Sequence, residues 1–112
     1  MNLSEDDIED AYEFLRHRHP YNKWDLPLPL KIRFKVTHSR MSMGEYDVDP
    51  HKIMVSCRQI HNYTELLETV AHEMVHLACE IKDHCFHPEH DKNFKRLARQ
   101  VCTAFGWKLE TF

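Results

Sequence analysis

Residues 66–81 set Leu66, Leu67, Val70, Ala71, Met74, Leu77, Ala78 and Ile81 at helical spacing, and no other helical segment of the chain is as hydrophobic. A helix of that kind needs partners, so it is expected at the centre of the fold with the remaining elements packed around it. Asn62, with Glu65 three residues later, supplies a cap just ahead of it. Further along, Asp91 caps a run of Phe94, Leu97, Ala98, Val101 and Phe105, which Gly106 closes from the C′ position. The chain opens with a cap formed by Ser4 and Asp7, and Ile8, Ala11, Tyr12 and Leu15 predict a helix over residues 5–17.

Between these helices the period changes. Residues 21–29, with Pro27 and Pro29, read as an extended connection anchored by Trp24 and Leu26. From Lys31 the chain alternates, with Ile32, Phe34 and Val36 on one face and Lys31, Arg33, Lys35 and Thr37 on the other, which is a half-buried strand with a basic solvent side. Residues 41–48 and 51–56 give two more strands separated by the turn pair Asp49-Pro50. The expected architecture is α+β: an N-terminal helix, a short antiparallel sheet and two packed helices, with Trp107, Leu109 and Phe112 folding back on the core as a tail.

With 112 residues the chain can build one core but not two, so residues 1–112 are expected to form one domain. Its only glycines, Gly44 and Gly106, exclude a glycine-rich phosphate loop. A net charge of −3 argues against polyanion binding by the chain as a whole and leaves room for a local basic face. Cys57, Cys79, Cys85 and Cys102 form no CxxC pair and the first seven residues are acidic, which points to a cytoplasmic protein with reduced thiols. No apolar run is long enough to span a bilayer, so no membrane role is expected.

Ten histidines are the compositional outlier, and two of them fall inside the central helix in the sequence His72-Glu73-Met74-Val75-His76. At 100° per residue, positions four apart lie about 40° from each other on a helix, so His72 and His76 can offer two imidazole nitrogens to one ion. Glu73 is turned away from that face and is placed to exchange a proton with water beside the metal. HExxH at this spacing therefore points to zinc-dependent hydrolysis, with Glu73 as general base and then acid.

A catalytic zinc needs a third protein ligand. The candidates are Glu80, His84, Cys85, His87, His90 and Asp91. Glu80 lies about 12 Å along the helix from His72, too far for the same ion. His90 is favoured because it stands at the mouth of the next helix, whose packing through Phe94 and Leu97 fixes its height. A closed structural site built from Cys79, His84, Cys85 and His87 lacks paired short hooks, and Cys79 falls among apolar positions where a core cysteine is expected.

The stretch from Leu66 through His72-Glu73-Met74-Val75-His76-Leu77-Ala78 resembles the active helix of the SprT-like metallopeptidases, the family that includes the eukaryotic protease Spartan, which cleaves proteins crosslinked to DNA. Ser39-Arg40-Met41-Ser42-Met43-Gly44 and Ile53-Met54-Val55-Ser56 are similar to the family's paired strands. Downstream, His90-Asp91-Lys92-Asn93-Phe94 corresponds to the family's His-Gly-x-x-Phe segment, with Asp91 in place of the glycine. The resemblance implies a small zincin-like domain, zinc (Zn2+) as cofactor, His72, His76 and His90 as metal ligands, and Glu73 as the catalytic residue. It also implies a minimal form without the C-terminal zinc ribbon or DNA-binding tail that many members append. Cys79, where metzincins carry a glycine, argues against that neighbouring group.

The function expected on these grounds is zinc-dependent endopeptidase activity on a polypeptide substrate, including DNA-associated proteins. A non-catalytic, zinc-stabilised adaptor that binds DNA or protein is the alternative, and zinc hydrolysis of a non-protein substrate is another. Lys92, Lys95, Arg96 and Arg99 recur on one side of the last helix and could meet DNA or a DNA-bound protein; the competing reading is an ordinary solvated face. Residues 40–46 are a candidate edge for an extended substrate, with Gly44 permitting close backbone approach or a bulge. Trp24 and Trp107 are assigned to the core rather than to base stacking.

Overall fold

The computed structural model describes residues 2–48, 50–83 and 90–112. Helix α1 spans Glu5–Arg16, and its first turn is closed by a reciprocal capping box in which Ser4 Oγ accepts from the Asp7 N–H and the Asp7 carboxylate accepts from the Ser4 N–H. Strands β1 (Arg33–Thr37), β2 (Gly44–Asp47) and β3 (Lys52–Ser56) follow, then helices α2 (Tyr63–Asp83) and α3 (Lys92–Phe105). The fold class is the expected α+β.

The three-stranded sheet has the order β1-β3-β2. The β2–β3 pair is antiparallel, with Tyr46 opposite Ile53 and Gly44 opposite Val55. The β1–β3 pair is parallel, with Phe34 opposite Ile53 and Val36 opposite Val55. The expectation of an all-antiparallel sheet is corrected here: the sheet is mixed, because β2 turns back onto β3 as a hairpin and β3 is thereby carried alongside β1 in the same direction. The strand expected over residues 41–48 is also shorter than its pattern suggested. Ser39 Oγ accepts from the N–H groups of Met41 and Ser42, and this local turn takes the backbone that would have extended the ladder.

Residues 21–29 are not purely extended either, since Tyr21–Lys23 forms a 3-10 turn and Pro29–Lys31 another, the second started by a proline whose fixed φ suits that position. Trp24 and Leu26 are buried as anchors, and Trp107 packs half-buried against the core. Asp49 of the expected turn pair lies outside the described residues.

Helix α2 is the centre of the molecule. Leu66, Val70, Ala71, Met74, Val75, Leu77 and Ala78 have no exposed surface, because α1, β2, β3 and α3 all pack against it. Tyr21 reaches in from the connection and donates its hydroxyl to the Ala71 carbonyl at 2.7 Å, one residue before His72. Tyr12 of α1 meets Phe34 of β1 with ring centroids 5.5 Å apart, tying the first helix to the sheet. No described helix is long and apolar enough to cross a membrane.

Candidate active site

The start of α2 is fixed by two hydrogen bonds. Asn62 Oδ1 accepts from the Glu65 N–H at 2.9 Å, and the Glu65 carboxylate accepts from the His61 N–H at 2.7 Å. Two turns further on, the helix presents His72 and His76 toward α3. Asp91 caps α3 by accepting from the Phe94 N–H at 3.0 Å, and His90 stands immediately before that cap.

The three imidazoles converge. Ring centroids are 5.2 Å apart for His72 and His76, 4.7 Å for His72 and His90, and 5.3 Å for His76 and His90. One nitrogen from each ring lies within 4.8 Å of the others. His76 is buried, His72 half-buried and His90 exposed, so the cluster opens toward solvent from the His90 side.

Burial, reinforced by neighbouring imidazoles, lowers His72 and His76 to about 4. His90 is lowered as well, first by burial and then by Lys95. All three rings are therefore neutral near pH 7, with lone pairs available. Three neutral imidazole nitrogens at this separation suit a tetrahedral ion that takes three histidines and keeps one position open. The donor set fits zinc.

Glu73, the residue after His72, is turned about a quarter turn from it on the helix and lines the cleft beside the triangle. It is 6% exposed, and burial, with a smaller contribution from the Glu45 carboxylate, pushes its carboxyl up to about 8. An open cleft of about 360 Å3 brings Glu73 and His72 together with Met43, Gly44, Thr69 and Phe112. A model of the SprT-like family matches residues 12–111. The chain belongs to the SprT-like family. No curated protein and no solved structure gives a significant match to it.

Of the other ligand candidates in this SprT-like chain, Glu80 is half-buried on α2 with its charge felt by Tyr46, away from the triangle. Asp91 is engaged as the α3 cap, with its charge felt by His76. His84, Cys85 and His87 lie outside the described residues, and Cys79 is buried as a core thiol. Lys92, Lys95, Arg96 and Arg99 are all exposed on α3, and Lys95 shares a hollow with His90.

Two neighbours of the SprT-like site were not read from the sequence as parts of it. Phe112 packs its ring 5.3 Å from that of His72, and its backbone oxygen accepts a hydrogen bond from the imidazole. Expecting the tail on the core gave no indication that it would land on a candidate ligand. The second is Thr69, one helical turn before Glu73 and buried beside it. Gly44 was expected to permit close approach, and the group it approaches is Glu73.

Proposed function

We propose that this chain is a zinc-dependent endopeptidase. The observation that carries the reading is the convergence of His72, His76 and His90 from two helices beside a buried carboxyl, Glu73, on the wall of an open cleft. His72, His76 and His90 would hold the zinc. When bound, zinc supplies a Lewis acid that polarises a carbonyl and makes water a stronger acid.

The remaining work falls to the chain's own groups. Glu73, raised by burial toward neutral pH, is suited both to accept a proton and to release it to a departing amine. Beside it, β2 is the edge strand of the described sheet, so an extended polypeptide can add to it and lie across Glu73. Lys92, Lys95, Arg96 and Arg99 are exposed on α3, with Lys95 beside His90, and would hold DNA, or protein bound to DNA, against the same molecule.

Glu73→Gln separates this reading from a zinc-stabilised adaptor. The purified protein should hold about one zinc per chain and cleave an unfolded polypeptide, tested with and without single-stranded DNA. In the variant, zinc content and fold should persist while turnover falls by roughly 100-fold or more. Turnover that survives Glu73→Gln, or no cleavage under either condition, would remove the peptidase assignment.

A further inference from the structure

We propose that Gly44 is a positioning residue for Glu73: the bare backbone at the start of β2 forms the wall that fixes the carboxyl in the cleft, and any side chain there turns it away. The proposal rests on the reading in which Glu73 moves the proton.

The sheet register sets the contact. Gly44 pairs with Val55 and shares a strand face with buried Tyr46, so a side chain at position 44 would point at α2. A Cβ placed there would sit 2.6 Å from Thr69 Cγ2, 3.0 Å from Glu73 Oε2 and 3.3 Å from Glu73 Cγ. Ordinary carbon contacts begin near 3.5 Å. The glycine is thus required by space, its backbone φ lying outside the left-handed region that Gly106 occupies.

Neither element can retreat to make room. Strand β2 is held by its ladder to β3, extended by the Ser56 N–H donating to the Met43 carbonyl at 2.8 Å. Helix α2 is buried on its other sides by residues with no exposed surface. Between the two obstructing side chains, Thr69 is short and branched at Cβ, whereas Glu73 ends in a flexible carboxyl group. A Cβ would thus crowd Thr69 most, and once that overlap is relieved Glu73 is the group that has to give, by a few tenths of an ångström. His72 and His76 pack against Phe94 of α3, away from β2, so the metal triangle is not disturbed.

The test compares Gly44→Ala combined with Thr69→Ser against Thr69→Ser alone. Serine lacks Cγ2, so the double variant is relieved of the worst overlap and keeps the close approach to Glu73. Thermal midpoint and zinc content should match those of Thr69→Ser, while turnover of an unfolded polypeptide falls about tenfold or more with little change in KM. Turnover that recovers together with stability would reduce Gly44 to a packing role and overturn the proposal.

If the wild-type chain shows no Glu73-dependent turnover, the peptidase reading fails by itself. The geometry is then judged by a crystal structure of the double variant. A Glu73 carboxyl displaced from its wild-type position supports the assignment, and an unmoved one overturns it.

Discussion

The phenyl ring of Phe94 lies flat on the imidazole of His90, with centroids 4.2 Å apart and planes 9° from parallel. The same ring reaches His76 at 4.5 Å and His72 at 5.1 Å, so one side chain of α3 touches all three candidate ligands. Phe94 is 3% exposed and therefore joins the core to the histidine triangle. Phe94→Ala should cost about 3–5 kcal/mol in stability, as for other buried aromatics. Phe94→Leu keeps most of the volume but loses the flat face. Its loss of stability should be smaller, with zinc affinity still reduced about tenfold or more in a chelator competition. Wild-type zinc affinity in Phe94→Leu would mean that the stack does not orient His90.

A second prediction separates the ligands from their acidic neighbours. His90→Ala leaves only His72 and His76, both on one helix, and bound zinc after gel filtration should fall well below one per chain. Glu80→Ala should leave zinc content unchanged, because that carboxylate lies toward Tyr46 rather than toward the triangle. Full occupancy in His90→Ala would take His90 out of the ligand set.

The helices and the candidate triangle were legible because their determinants are local. Cap residues and apolar spacing mark where α2 and α3 begin, and once Asp91 is known to cap α3, the position of His90 follows. Strand direction was not legible. Alternation in β1 and β3 records which side chains are buried, and the same pattern serves a parallel or an antiparallel partner. The contacts of Gly44 with Glu73 and of Phe112 with His72 join residues far apart in the chain, and neither leaves a periodic trace.

The metal-free protein should be most stable near pH 6.5. His72 and His76 titrate at about 4 when folded, against an ordinary value of 6.5. Between those values the unfolded chain binds protons that the folded chain refuses, so stability falls as pH drops through this window. Glu73 acts in the opposite direction: raised from 4.5 to about 8, it keeps its proton in the folded state, and stability declines as pH rises between those values. These imidazoles, with His90 lowered in the same sense, outweigh one carboxyl on the acid side, and above 6.5 the carboxyl dominates, joined toward pH 9 by the Cys102 thiol that burial raises. Thermal unfolding of chelator-treated protein at about pH 5, 6.5 and 8.5 should give its highest midpoint at the middle value. Glu73→Gln should flatten the alkaline decline, and an unchanged decline would assign it to another group.

The basic side of α3 gives the last prediction. The chain carries a net charge of −3, so contact with a nucleic acid has to be local, and Lys92, Lys95, Arg96 and Arg99 are exposed cations of α3, Lys95 beside His90 and Arg96 and Arg99 around a neighbouring hollow with His19. Each phosphate neutralised on a single strand contributes roughly 0.7 to the slope of log affinity against log salt. Arg96→Gln combined with Arg99→Gln should therefore weaken binding of labelled single-stranded DNA and lower that slope by about 1.4, read by fluorescence anisotropy over a salt series. A slope that does not change would show α3 to be an ordinary solvated face, and any DNA contact would then have to come from another surface. The basic side of β1, where Arg33 and Lys35 are exposed, is the next face to examine by the same measurement.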